Sequence, residues 1–210
     1  MRLLVLGGTG NVGRHVVAQA VAAGHDVLAL ARSEVAGCPA VRADPLDADA
    51  VRRALAGRDA VISSLGLKRR HVWNPWSAIP GSSTFCADSA RVLVAAMRAE
   101  GVRRVVAVSA AGVAESAPGM NAAMRALVAT SSIGVAYRDL AAMEQVYAES
   151  GVDWTCVRPV TLTDRPGTGR WRVVDRFGAT ATIPRADVAA CLLALAARPH
   201  EGARCPQIAA

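Results

Sequence analysis

A segment near the start of the chain, residues 7–13, contains glycines at a spacing suited to holding a phosphate. Gly7, Gly10 and Gly13 recur at every third position, directly after the apolar segment 2–6 and before a stretch with helical periodicity. Glycines at such positions permit a tight turn, close approach of the backbone to a pyrophosphate, and packing of the helix on the sheet. The helix start would then point its free N–H groups at the anion. We expect this turn to bind a dinucleotide through Gly7, Thr9, Gly10, Asn11, Val12 and Gly13.

The end of the second apolar segment, 26–30, carries a positive charge where dinucleotide sites read the ribose. The chain continues there with Ala31, Arg32 and Ser33. An NAD-selective site usually places Asp or Glu at this point, to hold the ribose 2′-hydroxyl. A guanidinium instead matches a 2′-phosphate in shape and charge. We therefore expect Arg32 and Ser33 to bind that phosphate, and NADP(H) to be the cofactor. The alternative is a solvated arginine on an ordinary loop.

The elements that must position these residues alternate regularly. Short apolar segments bounded by Gly, Asp or Pro are typical of parallel strands covered on both faces; they lie at 2–6, 26–30, 40–42, 60–64, 105–108 and 154–157. Apolar residues recur at helical spacing between and after them, at 11–23, 47–56, 82–100, 140–150 and 184–197. This alternation predicts an α/β fold with a doubly wound, mostly parallel sheet, the Rossmann fold, in a single domain over residues 1–210.

Three stretches interrupt the alternation, at 67–83, 112–136 and 163–183. The first two follow the carboxyl ends of predicted strands, where open α/β sheets bind ligands. We expect them to form the substrate side, and the third to add a small hairpin or an extra strand.

Aromatic and methionine side chains in these stretches suggest a flat binding surface. Trp73 and Trp76 could form an apolar wall for a polycyclic ligand, with Met120 and Met124 opposite, since Met suits adaptable surfaces. His71 could be a proton donor in the same loop. The alternatives are that the tryptophans seal the loop onto the core and that the histidine has no role.

The remaining composition excludes several classes of function. The net charge is +7, but the arginines are scattered rather than clustered with aromatic residues, so nucleic acid is not an expected partner. No apolar run approaches the ~18 residues of a membrane span, and we expect a cytoplasmic protein with no membrane partner. The cysteines lack CxxC spacing and the histidines (His15, His25, His71 and His200) form no ligand pattern, so no metal site is expected.

Together these motifs resemble the atypical short-chain dehydrogenase/reductases, a group with NAD(P)H-binding, NmrA-like proteins and the biliverdin-IXβ and flavin reductases. The resemblance covers nearly the whole chain. Besides the glycine turn and Arg32, it rests on the stretches 43–44, 59–66, 105–109, 149–159 and 185–189, and on Glu144. The run that ends in Arg158 and Pro159 is its most specific part after the glycine turn.

The resemblance implies roles for further residues. It places Asp44 near the adenine, Ser64, Leu65 and Gly66 along the adenosine side, and Lys68 near the 2′-phosphate. It also places Ser109 beside the nicotinamide, as the candidate catalytic residue, and Pro159 with Val160 over the carboxamide. For Asp44 and Ser64 ordinary loop chemistry is the alternative. Asp187 is expected to be structural, capping the last helix or pairing with an arginine.

One departure from the wider superfamily limits the mechanism. Most members use Tyr-x-x-x-Lys, in which the lysine lowers the pKa of the tyrosine that passes a proton to a carbonyl. Aligned on Glu144, the two positions fall on Ala136 and Leu140, with Tyr137 one residue out of register. Lys68 is the only lysine in the chain, so the pair cannot form with any tyrosine.

Two mechanisms fit these residues. The first is an NADPH-dependent reductase of a conjugated small molecule, such as a quinone, a flavin or a polycyclic aromatic natural product. Such acceptors need less acid catalysis, so positioning supplies much of the rate. Ser109 or solvent would donate the proton, although Ala110 lacks the hydroxyl that the flavin-reductase relatives have there. The second is a non-catalytic NADP(H) sensor; isomerase or epimerase chemistry on this scaffold is a further alternative. The chain is expected to be a monomer or a homodimer.

Overall fold

The computed structural model describes residues 1–71, 73–178, 180–198 and 204–210, so His200 lies outside the described residues. The strands in these ranges are β1 (Arg2–Leu6), β2 (Asp26–Ala31), β3 (Ala40–Arg42), β4 (Ala60–Ser63), β5 (Arg104–Val108), β6 (Asp153–Pro159), β7 (Thr161–Thr163), β8 (Arg172–Val173), β9 (Thr182–Pro184) and β10 (Gln207–Ala209). The helices are α1 (Gly13–Ala22), α2 (Ala48–Leu55), α3 (Phe85–Glu100), α4 (Ala122–Thr130), α5 (Ser132–Ala148) and α6 (Arg185–Ala196), with a 3-10 helix at Ala114–Gly119.

The main sheet has the order β3-β2-β1-β4-β5-β6-β10-β8. Its strands are parallel except β8, which runs antiparallel to β10. The predicted doubly wound, mostly parallel fold is therefore confirmed. The order reverses between β1 and β4, where the chain leaves β1 toward β2 on one side and reaches β4 on the other. A crevice forms at the carboxyl ends of strands at such a reversal.

Two hydrophobic cores cover the sheet, one on each face. The first joins the sheet to α1 and α6, and the second joins it to α2, α3 and α5. The central strands are apolar along their whole length because both faces are covered, as in β1, whose residues Leu3 to Leu6 are all buried. This is the physical origin of the unalternating apolar runs from which the strands were predicted.

Carboxylate side chains hydrogen-bond to the starts of α2 and α3 and so fix the positions of these helices. Asp47 caps α2 by accepting a bond from the Ala50 N–H at 3.0 Å. Asp139, a buried residue of α5, accepts from the backbone N–H groups of Cys86 and Ala87 at 2.8 and 3.0 Å. A carboxylate is favourable at a helix start, so this contact fastens α5 to the first turn of α3.

The region predicted to be irregular at 112–136 is instead mostly helical. It contains the 3-10 helix and α4, and α5 begins at Ser132 rather than at residue 140. The prediction was wrong because α4 buries none of its residues and so carries no apolar stripe to recognise. Asn121 nevertheless caps α4 by accepting from the Met124 N–H at 2.8 Å.

The described part of the segment 163–183, which omits residue 179, forms an extra strand and no hairpin. β8 joins the edge of the main sheet through β10, and β7 pairs in parallel with β9 in a separate small sheet. Strand β10 was not predicted at all. Asp187 holds this segment, because its carboxylate accepts from the backbone N–H groups of Thr168 and Gly169 at 2.9 and 2.8 Å.

Of the helices in the described ranges, none is both long enough and apolar enough to cross a lipid bilayer.

Candidate functional site

The glycine turn is specified by contacts too close for any side chain. Gly7 has φ +79°, in the left-handed region, and its carbonyl accepts from the Gly10 N–H at 2.8 Å. A Cβ at Gly10 would lie 3.1 Å from that carbonyl oxygen. A Cβ at Gly13 would overlap the same oxygen and lie 2.6 Å from the Ser64 hydroxyl. The turn therefore folds tightly back over β1 and leaves its outer face to a ligand.

Ser64 anchors this turn from below. Its hydroxyl donates to the carbonyl oxygens of Leu6 and Gly7, at 3.0 and 3.2 Å. Leu65, the next residue, is half-buried against the core beneath α2 and α3, whereas Gly66 and Lys68 are exposed. The hydroxyl of Ser64 thus supports the glycine turn, and its contact with an adenosine stays a prediction.

The start of α1 is open to an anion. Val12 occupies the N-cap position and provides no side-chain hydrogen bond, and the first turn of the helix contains no acidic residue. Thr9 and Asn11 are exposed at the rim of the turn. Uncapped N–H groups together with the positive end of the helix dipole favour a bound phosphate.

Two arginines meet at the adjacent edge of the sheet. Arg32 and Ser33 follow β2 and are exposed, as expected. Arg42, the last residue of β3, is paired in register with Ala31, and its Nε donates to the Arg32 carbonyl at 3.3 Å. Arg42 was not predicted as a site residue. The available signal was its position as the last residue of the third predicted strand, two residues before Asp44.

Asp44 lies beside this pair at the surface. One carboxylate oxygen accepts from the Leu46 N–H at 2.9 Å, which closes a turn before α2. The turn role is therefore observed, and contact with an adenine stays a prediction.

Ser109 lies at the carboxyl end of β5, beside the end of β6. Its backbone N–H donates to the Val157 carbonyl at 2.7 Å, and the Ala111 N–H donates to Pro159 at 3.0 Å. The residue is 5% exposed, yet its hydroxyl has no hydrogen-bond partner among the described residues. Since buried polar groups are nearly always paired, this orphaned hydroxyl is suited to a ligand. Pro159 and Val160 are buried next to it.

Tyr137 reaches the same place from α5. Its phenol donates to the Ala111 carbonyl at 3.1 Å. Burial raises the pKa of Tyr137 above its usual value, so the phenol is neutral at pH 7. Tyr137 was one residue out of register with the expected tyrosine position. Because α5 begins earlier than predicted, Tyr137 lies on this helix, and its phenol contacts Ala111, two residues after Ser109.

The loop that carries Trp73 and Trp76, called the tryptophan loop below, exposes both of these side chains. Trp73 is 97% exposed and Trp76 is 62% exposed, so the alternative in which both rings seal the loop onto the core is wrong. His71 is also exposed, and Met124 is half-buried. Met120 is buried, with its sulfur 2.6 Å from where a Cβ on Gly112 would lie. The predicted substrate contacts therefore differ in exposure: Met120 is buried, whereas His71, Trp73 and Trp76 are exposed.

An ionic cluster around the buried Arg158 connects the 3-10 helix to β6. Arg158 is 2% exposed and donates from Nε and Nη2 to Glu144 at 2.9 and 2.5 Å. It also donates from Nη1 and Nη2 to Glu115 at 2.5 and 3.0 Å. Hydrogen bonding to Arg158 lowers the pKa of the Glu115 carboxyl. Glu115 was not predicted, because nothing in its local sequence marks a partner 43 residues away.

Two open cavities, of about 780 and 660 Å³, flank this ionic cluster. Both have Glu115, Arg158 and Cys205 in their walls, and among the described residues neither is lined by Ser109 or the glycine turn. They lie toward β10, on the far side of Arg158. We place the candidate site instead at the carboxyl ends of the strands between the glycine turn and Ser109, where the strand order reverses and, within the described part of the chain, Ser109 has an unpaired hydroxyl.

Comparison with known proteins identifies the family of the chain. The model of a family described as NAD(P)H-binding matches residues 7–199. A 3-diazoavenalumate denitrifying reductase from a Streptomyces species is 33% identical over 178 residues, which are 80% of this chain and 58% of that protein. A 2-alkyl-3-oxoalkanoate reductase from Stenotrophomonas maltophilia is 34% identical over 122 residues, 56% of this chain and 36% of that protein. The chain thus spans about a third to three fifths of the length of these curated relatives.

Among solved structures, an anaerobillin reductase from Escherichia coli O157:H7 superposes with a TM-score of 0.78. The match covers 98% of this chain and 95% of that one, at 23% sequence identity. At that identity the likeness establishes a common fold, in agreement with the observed strand order.

Proposed function

Because the chain belongs to the NAD(P)H-binding family, we propose that it is an NADPH-dependent reductase of a conjugated small molecule. The observation that carries the proposal is the buried, unpartnered hydroxyl of Ser109 at the carboxyl end of β5. A group of this kind beside a cofactor cradle can orient a nicotinamide or donate a proton to a substrate.

The residues present fit a dinucleotide. The glycine turn and the start of α1 would hold the pyrophosphate, because no described side chain caps the start of this helix and its first turn carries no acidic residue. Asp44, Ser64, Leu65 and Gly66 would line the adenosine. Pro159 and Val160 would cover the carboxamide, with Ser109 beside the ring.

We propose NADPH rather than NADH because positive charge gathers where the 2′-phosphate would lie. Arg32 and Arg42 are joined by the bond from Arg42 to the Arg32 carbonyl, and both guanidiniums are at the surface. Ser33 and Lys68 would add donors. A guanidinium pair recognises a phosphate by paired, charge-assisted hydrogen bonds.

When bound, NADPH supplies a hydride, and the chain supplies position and protons. Ser109 would be the proton donor, and the neutral phenol of Tyr137 is hydrogen-bonded to Ala111, two residues further along the chain. With Lys68 the sole lysine, we propose that no lysine assists the phenol. A weak acid of this kind suits an acceptor that spreads the incoming charge over conjugated bonds, and suits a simple ketone poorly.

The names of the related proteins agree with reductive chemistry. Two curated relatives are named as reductases, one of an oxoalkanoate and one of a diazo compound. We extend the reaction class to this chain and derive the acceptor class from its own residues.

The test is NADPH consumption by the purified protein, followed at 340 nm with quinones, flavins and simple ketones as acceptors. The proposal predicts turnover with quinones or flavins, none with simple ketones, and a preference for NADPH over NADH. Tight NADPH binding without oxidation by any acceptor would instead support a nucleotide sensor and overturn the reductase.

A further inference from the structure

The described residues of the tryptophan loop, 70, 71 and 73–78, are joined by hydrogen bonds, and both tryptophan side chains are exposed. The backbone N–H of Arg70 donates to the Ala78 carbonyl at 2.9 Å and closes the loop at its base. Inside it, the His71 N–H donates to the Ser77 hydroxyl at 2.9 Å, and the Trp76 N–H donates to the Asn74 side chain at 3.0 Å. Trp73 and Trp76 are both exposed in this loop. Large exposed apolar side chains of this kind mark a candidate binding surface.

The loop is also fastened next to the candidate site. Ser132, at the first turn of α5, donates to the Pro75 carbonyl from its N–H at 3.0 Å and from its hydroxyl at 2.6 Å. Tyr137 lies five residues further along α5, about 8 Å at the rise of an α-helix, and touches Ala111 beside Ser109. The tryptophan loop is therefore attached to the helix whose Tyr137 contacts Ala111, two residues after Ser109.

The charge around these rings has one sign. Between Asp59 and Asp88 the sequence contains no acidic residue, but it contains Lys68, Arg69 and Arg70. Arg70 stands at the base of the loop, and its side chain is exposed. A ligand that lies on the rings thus meets a segment that carries positive charge and no carboxylate of its own.

We propose that the tryptophan loop binds the substrate as a planar, conjugated anion, whose rings stack on Trp73 and Trp76 and whose carboxylate pairs with Arg70. This inference rests on the proposed function and narrows it to aromatic acids. Stacking supplies affinity for any flat ring system, and the guanidinium adds selection for a carboxylate through a charge-assisted bond. A neutral polycycle of the same shape lacks the second interaction.

The test compares two ligands that a hydride donor does not reduce, 9-anthracenecarboxylate and 9-anthracenemethanol. Each is titrated by calorimetry into the full chain saturated with NADP⁺, and again without nucleotide. We expect the carboxylate to bind about tenfold more tightly than the alcohol. Equal affinities, or no binding of either ligand, would overturn the proposal.

Variants assign the two contributions. Arg70→Gln should remove the tenfold preference while the alcohol binds as before, and Trp73→Ala should weaken both ligands about fivefold. Trp73→Phe should restore most of that loss. Arg53→Gln, an exposed arginine on α2, is the matched control and should change neither ligand. An unchanged preference in Arg70→Gln would contradict the assignment.

Two further outcomes separate this inference from the proposed function. If NADP⁺ fails to bind but the carboxylate preference persists, the reductase fails and the anion site stands. If the protein instead sediments with phosphatidylglycerol vesicles, and Trp73→Ala abolishes that while neither anthracene binds, the loop is a membrane contact and the anion site is overturned.

Discussion

The cofactor side and the substrate side of the crevice are specified by different physics. At the glycine turn, backbone atoms approach so closely that a Cβ would be excluded at Gly13, and the Ser64 hydroxyl fills the space beneath. At the tryptophan loop two large aromatic side chains are exposed, and α4 has no fully buried residue. Steric fit thus determines what the first region binds, whereas exposed rings and charge determine it in the second. An added methyl group should therefore impair binding at the glycine turn. At the tryptophan loop, only the loss of an aromatic ring or of a charge should impair binding.

The largest effect is expected from one methyl group in the cradle. Gly13→Ala places a Cβ against the Gly7 carbonyl and 2.6 Å from the Ser64 hydroxyl. We expect a loss of about 1–3 kcal/mol in the free energy of unfolding, and NADP⁺ binding too weak to measure by calorimetry. The matched control is Gly178→Ala, where a Cβ would meet nothing within 4 Å. Full NADP⁺ affinity in Gly13→Ala would show that the turn does not depend on this fit.

A smaller effect is expected at the point where the two regions meet. Ser109→Ala removes the orphaned hydroxyl without adding volume, so stability and NADP⁺ affinity should change little. The kcat for a quinone acceptor should fall about a hundredfold if the hydroxyl donates the proton. Ser89, on α3, is equally buried and has an unpartnered hydroxyl among the described residues. Ser89→Ala should leave kcat unchanged, and an unchanged kcat in Ser109→Ala would remove Ser109 as the donor.

The next effect sharpens the description of the cofactor side. Arg32→Glu should weaken NADPH binding about thirtyfold, because a charge-assisted pair is lost and a repulsion gained, while NADH binding is spared. Arg42→Gln should weaken NADPH about fivefold in the same direction. Fluorescence titration with both nucleotides measures the ratio. Parallel losses for NADPH and NADH would contradict a 2′-phosphate contact.

The smallest effect concerns the ion pair between Glu115, on the 3-10 helix, and Arg158, on β6. Pairing with Arg158 lowers the folded pKa of Glu115 from its ordinary 4.5. Its contribution is therefore complete above about pH 4.5 and fades as pH falls through the lowered value. The Glu115 side chain is 73% exposed, so we expect about 1 kcal/mol or less. Urea unfolding between pH 3 and 6 should show a shallower acid loss in Glu115→Gln than in the wild type; parallel curves would contradict it.

The same contrast explains which features were predictable from sequence. The central strands were found because burial on both faces leaves unbroken apolar runs, and the glycine turn because its spacing reflects steric need. Helix α4 escaped notice because it buries nothing. Arg42, Tyr137 and Glu115 depend on strand register, on the start of α5 and on a distant partner, none of which local pattern contains. Ser109 could be named from the resemblance, but its unpaired state is visible only in the fold.

The most direct test of the central claim is a crystal structure of the chain with NADP⁺. We predict the pyrophosphate on the turn from Gly7 to Gly13, the 2′-phosphate between Arg32 and Arg42, and the nicotinamide carboxamide or ribose about 3 Å from the Ser109 hydroxyl. A nucleotide that leaves the Ser109 hydroxyl unpaired, or whose 2′-phosphate points away from both arginines, would contradict the proposed site.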